Sequence, residues 1–336
     1  MNIHRMAKEE LAQLIQENAQ GPAQTLLEQA QAVRDACYGR RVFARGLIEF
    51  TNYCKNNCYY CGIRAGNTRA HRYRLTEADI LACCAQGAEL GFHTFVLQGG
   101  EDPAFTDEQT ARLVFKIKDT HPGCAVTLSI GERPRESYRL FRSAGADRYL
   151  LRHETATDTH YRRLHPKSMS LAHRKQCLWD LKELGFQVGA GFMVGSPGQT
   201  AEHLAEDLLF LKELQPQMVG IGPFLPHQDT PFRTEPPGSV PLTLTMLALT
   251  RILFPQVLLP STTALATADQ AGHALGLSAG ANVVMPNLSP ASVRADYSLY
   301  DNKAAFGSEA AESVRSLAEK IQSAGYIFDM SRGDAL

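Results

Sequence analysis

The chain contains the stretch Gly46-Leu47-Ile48-Glu49-Phe50-Thr51-Asn52-Tyr53-Cys54-Lys55-Asn56-Asn57-Cys58-Tyr59-Tyr60-Cys61. Its first five residues are mostly apolar and predict a buried strand over Gly46–Phe50. Three thiols then follow within eight residues, although the whole 336-residue chain has eight cysteines and none beyond position 177. Soft thiolates crowded on one loop are typical of a metal centre or a redox site.

Three kinds of site fit this cysteine spacing. A redox pair of Cys58 and Cys61 leaves Cys54 without a role. A structural zinc ion needs four ligands, so it would require a further one such as His71. An iron–sulfur cubane held by three cysteines keeps one iron open for another ligand, and thiolates suit it. The spacing alone leaves zinc and iron–sulfur open.

Strand-like and helical segments alternate from residue 46 to the end of the chain. Eight βα units predict an α/β fold, a (β/α)8 TIM-type barrel, rather than an open doubly wound sheet. We expect an N-terminal helical extension over residues 1–45 and the barrel over residues 46–336. The eight predicted strands are Gly46–Phe50, Thr94–Gln98, Ala125–Ser129, Arg148–Leu151, Gln187–Phe192, Met218–Ile221, Gln256–Leu259 and Asn282–Met285.

Catalytic and binding residues of such a barrel lie just after each strand, because the βα loops form the active-site face. Cysteines, a carboxylate and a cation all follow strands here. Gly99-Gly100-Glu101 follows the second strand, Thr127 and Ser129 end the third, and Arg152-His153-Glu154 follows the fourth. The sequence therefore predicts one site at the carboxyl ends of the strands.

Charge and hydropathy exclude several classes of protein. The chain has 34 basic and 35 acidic residues, a net charge of −1, which lacks the electrostatic footprint of a nucleic-acid or anionic-membrane binder. No apolar run approaches the ~18 residues of a membrane span. The first ten residues carry charges where a signal peptide needs an apolar segment. We expect a cytoplasmic protein with neither a nucleic-acid nor a membrane partner.

The spacing C-x3-C-x2-C, with an aromatic residue before the last cysteine, resembles the radical S-adenosylmethionine (SAM) superfamily. In that family a [4Fe-4S] cluster holds SAM on its open iron and cleaves it reductively to methionine and a 5′-deoxyadenosyl radical. Gly99-Gly100-Glu101 resembles the element that binds the amino group of SAM, and Gly220-Ile221-Gly222 resembles the adenine-binding segment.

Longer stretches are similar to the HydE family of [FeFe]-hydrogenase maturases, which groups with biotin synthase and methylornithine synthase. The similarity runs from about residue 40 to residue 300. The segments that carry it are Leu47–Cys54, Arg148–Ala156, Val194–Thr200, Gly220–Phe224 and Gly280–Asn287.

The resemblance assigns residues to roles. It implies that Cys54, Cys58 and Cys61 ligate the cluster. Glu154 would bind the ammonium or ribose of SAM, and Arg174 has the planar fork for its carboxylate. The remaining SAM-binding residues implied are Tyr60, Gln98, Gly99, Gly100, Glu101, Ser129 and Met218. The residues implied around the substrate are Thr127, Arg152, Thr262, Thr263, Tyr297 and Tyr300.

The HydE resemblance also implies a reaction and partners. The substrate would be a small molecule or iron complex carrying carbon monoxide, cyanide and cysteine, made by the maturase HydG. The product would be a precursor of the dinuclear hydrogenase subcluster, passed on to the scaffold HydF. An electron donor of the ferredoxin or flavodoxin type would reduce the cluster. Some HydE proteins carry three further cysteines near the C-terminus. Because Asn302–Glu309 and everything after it lack cysteine, we expect one cluster and packing roles for the other five thiols.

Two alternatives remain at this point. Biotin synthase is not among them, because it needs a second, sulfur-donating cluster, and Cys124, the one cysteine on a strand edge, is too few for it. Methylornithine synthase differs in its substrate pocket and stays open. Outside enzymes, the chain could be a zinc or iron–sulfur binding protein.

Overall fold

Strands and helices alternate along the chain in the computed structural model, which describes residues 3–303 and 310–336. The nine strands are β1 (Arg41–Ala44), β2 (Gly46–Thr51), β3 (Thr94–Gly99), β4 (Ala125–Ser129), β5 (Arg148–Leu150), β6 (Gln187–Val194), β7 (Met218–Pro223), β8 (Val283–Val284) and β9 (Ile327–Asp329).

Thirteen α-helices are described, after a 3-10 turn at Ile3–Arg5. They are α1 (Lys8–Glu17), α2 (Gln24–Tyr38), α3 (Glu77–Glu89), α4 (Asp107–Thr120), α5 (Arg135–Ser143), α6 (Asp158–Leu164), α7 (Leu171–Glu183), α8 (Ala201–Leu214), α9 (Val240–Leu253), α10 (Thr263–Ala268), α11 (Gly272–Ser278), α12 (Ala291–Arg294) and α13 (Ala310–Ser323). Residues 1–2 and 304–309 lie outside the described residues, so the stretch Asn302–Glu309 is placed only in its first two positions.

Six strands, β2 to β7, form one parallel sheet in chain order. Isolated parallel bridges continue that order, from Met218 to Leu258, from Pro260 to Val283, and from Asn287 back to Leu47 on β2. Regular strand pairing therefore does not close the sheet between β7 and β2 in the described residues. The three isolated bridges connect these two strands instead. The parallel α/β architecture of a (β/α)8-type barrel is confirmed, and the carboxyl ends of its strands lie at one edge.

The predicted seventh strand, Gln256–Leu259, does not form a regular ladder. Proline has no backbone N–H to donate, and Pro255 and Pro260 bracket this segment. The buried Arg251 on α9 holds the segment instead. Its guanidinium donates to the carbonyls of Pro255 and Val257, each at 2.8 Å, and to Asn282 Oδ1 at 2.9 Å. Burial lowers the pKa of Arg251 to about 10, which leaves it charged at neutral pH.

Two strands were not predicted, and they change the amino end of the barrel. β1 pairs in parallel with β8 on one side and with β9 on the other. The chain after β9 then crosses this end, where Arg148 Nη2 at the start of β5 donates to Asp334 Oδ1 at 2.7 Å and to the Arg332 carbonyl at 2.8 Å. The C-terminal segment therefore closes the amino end of the barrel.

The predicted N-terminal helices are present as α1 and α2. They pack against α8 and α9 on the outside of the barrel, and their apolar residues belong to the same core cluster as the strands. The expected boundary at residue 45 falls between β1 and β2, so the first strand of the β8–β1–β9 sheet lies in the segment assigned to the extension.

Alternate residues of β6 and β7 are glycines, and close packing explains most of them. Gly191 pairs with Gly220 and has a φ of 149°, where any Cβ would lie 2.0 Å from the Gly220 carbonyl oxygen. A Cβ on Gly222 would lie 2.7 Å from Thr262 Oγ1, whereas one on Gly220 would meet no atom closer than Arg152 Cδ at 3.8 Å. The glycines therefore allow β6, β7 and the segment at Thr262 to approach closely.

No helix in the described part of the chain combines the length and the apolar character needed to cross a lipid bilayer.

We expect replacing Arg251 with methionine to destabilise the fold, because the three acceptors named above and the Gly280 carbonyl, which accepts from Arg251 Nε at 2.8 Å, lose their donor. The loss should be about 3 kcal/mol or more of unfolding free energy. Arg139→Met is the matched control, since the Arg139 side chain is 54% exposed and should change stability by less than about 0.5 kcal/mol. Thermal and urea unfolding followed by circular dichroism measure both. Equal stability of the two variants would contradict the role given to Arg251.

Candidate active site

The cysteine loop is fixed onto the loop that follows β3. The Lys55 N–H donates to the Glu101 carbonyl at 2.9 Å. A Cβ on Gly100 would lie 2.2 Å from the Tyr53 carbonyl oxygen and 2.8 Å from Cys54 Cβ, so the two loops approach closely only because residue 100 is glycine. The predicted thiol loop and the predicted Gly-Gly-Glu element are therefore in direct contact.

One cavity of about 310 Å³ lies at the carboxyl ends of the strands and gathers most of the predicted site. Its walls come from the cysteine loop, from the ends of β3 to β6 and from the segment after α12. The predicted residues that line it are Cys54, Cys58, Tyr60, Cys61, Gln98, Gly99, Gly100, Glu101, Ser129, Arg152, Glu154, Arg174, Tyr297 and Tyr300.

Two predicted residues deeper in the barrel do not line this cavity. Thr127 is fully buried on β4, and its Oγ1 has no hydrogen-bond partner. Met218 is the first residue of β7, at the opposite end of that strand, where Arg45 Nη1 lies 2.9 Å from its Sδ. The assignment of Met218 to the SAM pocket therefore has no support from its position.

The two threonines after the seventh segment also lie beside the cavity rather than in it. The Thr262 side chain caps α10 by accepting the Leu265 N–H. Thr263 lines a neighbouring cavity of about 250 Å³ together with Glu49. Glu49 is buried, forms an ion pair with Lys303, and accepts a hydrogen bond from Asn287 Nδ2 at 2.7 Å.

Carboxylates and cations alternate around the main cavity. Glu101 is 5% exposed, and its Oε1 accepts the Glu132 N–H at 2.8 Å, while Lys55 Nζ lies 3.3 Å from its Oε2. Glu132 in turn pairs with Arg174, whose Nε lies 2.5 Å from Glu132 Oε1. These contacts connect the loops after β2, β3 and β4 to α7.

Glu132 is a site residue that sequence reasoning missed. A signal was present, because Gly131-Glu132 follows β4 much as Gly100-Glu101 follows β3. Gly131 has a φ of 77°, and a Cβ there would lie 2.1 Å from Glu101 Cγ. The second Gly-Glu pair therefore packs directly against the first.

Glu154 has an uncommon backbone conformation for a side chain that lines the cavity. Its φ is 65°, the left-handed region that favours glycine, and its N–H donates to the Gly191 carbonyl at 3.0 Å. Glu154 Oε2 is buried, lies 3.4 Å from Arg152 Nη2, and accepts no hydrogen bond. A buried carboxylate oxygen without a donor is suited to the ammonium or hydroxyl of a bound ligand.

His153 bonds to Gly191, the same residue that accepts the Glu154 N–H. Its side chain is fully buried, and its Nδ1 accepts the Gly191 N–H at 3.3 Å. The proton of the neutral ring is therefore on Nε2, which lies 3.3 Å from Asp207 Oδ1 on α8. Burial lowers the pKa of His153 well below its usual value, which keeps the ring neutral.

Tyr60 is oriented by a buried histidine, His165. His165 Nδ1 lies 3.0 Å from the Tyr161 carbonyl, which can only accept, so this nitrogen holds the proton of the neutral ring. Its Nε2 then accepts the Tyr60 hydroxyl at 3.2 Å. Burial lowers the pKa of His165 to about 3, consistent with a neutral acceptor.

The three clustered thiols are neutral in the absence of iron, because burial raises the pKa of each. Burial raises the pKa of Cys58 to about 12, partly offset by Arg174, and it also raises the pKa of Cys61. Thiolate formation must therefore accompany iron binding. The described residues contain no three His, Cys, Asp or Glu groups arranged around a single metal ion. A cubane takes one cysteine per iron, so its ligands lie further apart than those of one ion.

The other predicted ligand and thiols lie elsewhere. His71, the fourth ligand considered for zinc, is largely exposed, and its Nδ1 lies 2.8 Å from Asp296 Oδ2. Four of the remaining cysteines are buried in the packing, and the fifth is half-buried. They are Cys83, Cys84, Cys124, Cys177 and Cys37.

Comparisons with known proteins agree with this geometry. The profile of the radical SAM superfamily matches residues 48–211. The [FeFe] hydrogenase maturase subunit HydE of Thermotoga maritima is 47% identical over 88% of this chain and 84% of its own length. The 3-methylornithine synthase of Methanosarcina acetivorans is 30% identical over 83% of this chain and 79% of its own length. The crystal structure of methylornithine synthase (PylB) superposes with a TM-score of 0.81 at 27% identity, covering 97% of this chain and 96% of that one.

The barrel, the thiol loop and these relatives define a radical SAM enzyme, whose cofactors are a [4Fe-4S] cluster and SAM. At 47% identity over most of its length, the chain belongs to the HydE family of [FeFe]-hydrogenase maturases.

Gly100→Ala should push the cysteine loop away from the loop after β3, because the added methyl group overlaps the Tyr53 carbonyl. We expect iron content after anaerobic reconstitution to fall by at least half. Gly123→Ala is the matched control, since a Cβ at that exposed glycine meets nothing within 4 Å. Normal iron loading of Gly100→Ala would show that the close contact between the loops is dispensable.

Proposed function

We propose that this chain cleaves SAM in the 310 Å³ cavity and directs the resulting radical onto a small iron complex carrying carbon monoxide, cyanide and cysteine, as a step in assembling the [FeFe]-hydrogenase cofactor. One observation carries the proposal: three thiols, an unsatisfied carboxylate and a buried guanidinium line a single cavity at the carboxyl ends of the strands. When bound, the cluster supplies the electron that cleaves SAM into methionine and a 5′-deoxyadenosyl radical.

Cys54, Cys58 and Cys61 hold the cluster in this proposal, and two charged groups hold the polar end of SAM. Arg174 is 7% exposed and presents its guanidinium beside the Cys58 thiol, where it can bind a carboxylate. Glu154 offers its free Oε2 to an ammonium or ribose hydroxyl. Glu132 acts through Arg174 as a positioning residue.

The substrate side is formed by Arg152, Tyr297 and Tyr300. Arg152 Nη2 donates to the Phe192 carbonyl at 2.6 Å, which fixes the guanidinium against β6, and its buried Nε has no partner. The Tyr297 hydroxyl accepts from Gln98 Nε2 at 3.4 Å. A fixed cation with hydroxyl donors suits an anionic complex bearing cyanide and a carboxylate.

HydG, HydF and a protein electron donor are the partners in this proposal. They follow from membership of the HydE family, in which the substrate is supplied by one maturase and the product is passed to another. The second candidate activity is rearrangement of an amino acid, favoured by the likeness to methylornithine synthase in sequence and in structure. The higher identity to HydE places hydrogenase maturation first.

Replacement of a proposed cluster ligand should abolish SAM cleavage. We expect Cys58→Ser to lose most of its iron and to release at least about 100-fold less 5′-deoxyadenosine with dithionite as reductant, since one of the three thiolate ligands of the cluster is lost. Cys37→Ser, at a half-buried cysteine outside the cavity, should retain both. Iron analysis and mass spectrometry measure the two variants side by side. Full cleavage by Cys58→Ser would refute the ligand assignment.

Glu132→Gln should weaken SAM binding while the cluster still loads, because Arg174 loses the carboxylate that orients it. Removing one partner of this buried ion pair should raise the dissociation constant about 10- to 100-fold, which corresponds to about 1.4–2.8 kcal/mol. Glu132→Asp should recover part of the affinity. Calorimetric titration of SAM into the reconstituted protein tests this, with iron content as the control. An unchanged dissociation constant would remove Glu132 from the site.

The proposed substrate is tested by anaerobic turnover. The protein is mixed with SAM and dithionite, and either a synthetic iron complex carrying carbon monoxide, cyanide and cysteine or lysine is added. We expect the iron complex to raise 5′-deoxyadenosine formation and to restore hydrogenase activity in a maturation mixture that lacks HydE. Stimulation by lysine alone, with methylornithine as product, would replace the proposed function with the second candidate.

A further inference from the structure

The cysteine loop continues into a segment that is strongly basic. Residues 50–76 contain five lysines and arginines and no aspartate or glutamate, although the whole chain carries a net charge of −1. Two of the five serve the fold. Arg72 donates to four backbone carbonyls of this region, and Arg74 forms a two-pronged pair with Asp102. The others, Lys55, Arg64 and Arg69, lie at or near the surface.

Arg64 and Arg69 line a surface groove of about 550 Å³ together with Arg233 from the loop after β7. We call these three arginines the basic face. Arg69 is 80% exposed and Arg233 is exposed, while Arg64 is half-buried. Asp229 is the single carboxylate lining this groove, and its Oδ1 lies 3.0 Å from Arg69 Nη1. Asp301 lies beside the groove, where it accepts the N–H of the lining residue Gln228 at 2.8 Å, so three arginines stand against two carboxylates and leave an excess of positive charge.

The basic face and the active-site cavity lie along consecutive parts of one loop. Along this loop, the residues that line the cavity end at Ile63, and the residues that line the groove begin at Arg64. No residue lines both. The two segments are bonded together. The Ala65 N–H donates to the Asn56 carbonyl at 2.8 Å, and the Gly66 N–H donates to Asn57 Oδ1 at 3.0 Å, immediately before Cys58 in the chain. The groove is therefore backed by the cysteine loop and is separate from the cavity that takes small molecules.

We infer that the basic face docks a small acidic electron carrier of the ferredoxin type, which reduces the cluster across the cysteine loop. The inference rests on the proposed function, because only a reductively activated cluster needs such a partner. One electron passes from the reduced carrier, which is oxidised, to the oxidised cluster, and no bond forms or breaks in this transfer. A ferredoxin fits in two ways, by its low-potential one-electron chemistry and by its negative charge.

Complementary charge also suits a transient complex between the basic face and an electron carrier. Redox partners form small, transient interfaces, in which complementary charge steers the encounter and a large apolar surface is not needed. The exposed arginines of the basic face meet that requirement, and the apolar core of the barrel stays covered. An open cationic groove on a near-neutral protein gives directional attraction without general affinity for polyanions.

The test reverses charge at the two exposed arginines, Arg69→Glu with Arg233→Glu, and measures binding of an oxidised bacterial ferredoxin to the reconstituted protein by calorimetry. We expect the dissociation constant to rise at least about tenfold at low ionic strength and the difference to shrink at ~0.5 M salt, where charges are screened. Stopped-flow reduction by the reduced ferredoxin should slow to the same extent. Arg139→Glu, an exposed arginine that is likewise paired with one carboxylate, is the matched control and should bind as the unaltered protein does.

Dithionite separates this inference from the proposed function. With dithionite as reductant, the doubly reversed variant should form 5′-deoxyadenosine at the unaltered rate, which also shows that it is folded and loaded. Ferredoxin binding that is unchanged by the double reversal would overturn the docking site and leave the proposed function intact. Absence of SAM cleavage by the unaltered protein with dithionite would overturn the proposed function itself.

Discussion

The contact between the cysteine loop and the loop after β3 determines the rest of the site. The Lys55 N–H bonds to the Glu101 carbonyl, and Gly100 allows the two backbones to meet at Tyr53 and Cys54. This contact places three thiols beside the Glu101 carboxylate at the edge where all parallel strands end. The other walls of the cavity surround these two loops.

A chain of charges extends from that contact around the barrel. Lys55 faces Glu101, Glu101 accepts the backbone N–H of Glu132, and Glu132 holds Arg174. Each charged group is compensated by a neighbour from a different βα loop, so burial at this edge costs less than it would for isolated ions. The exception is Glu154 Oε2, which is left without a donor in a strained backbone conformation. In the proposed function, a ligand ammonium or hydroxyl would supply the missing donor.

The sequence predicted those parts of the molecule that periodicity and chain order determine. β2 to β7 begin at the predicted residues, because long apolar runs flanked by helix caps mark buried strands. Fourteen predicted site residues line one cavity, since carboxyl ends of parallel strands share an edge. Periodicity could not reveal the two unpredicted strands β1 and β9, four and three residues long, which exist through pairing with distant segments. The Glu132–Arg174 ion pair was not predicted either, because a contact between residues 42 positions apart leaves no local pattern in the sequence.

The segment after β9 has a consequence for traffic through the enzyme. Arg148 and Asp334 join the C-terminal residues to the amino end of the barrel, opposite the thiols. In the proposed function, exchange with solvent would therefore run through the carboxyl end, where substrate, SAM and products would share one entrance. A molecule bound deeper in the barrel would then have to enter before, and leave after, a molecule bound nearer that entrance.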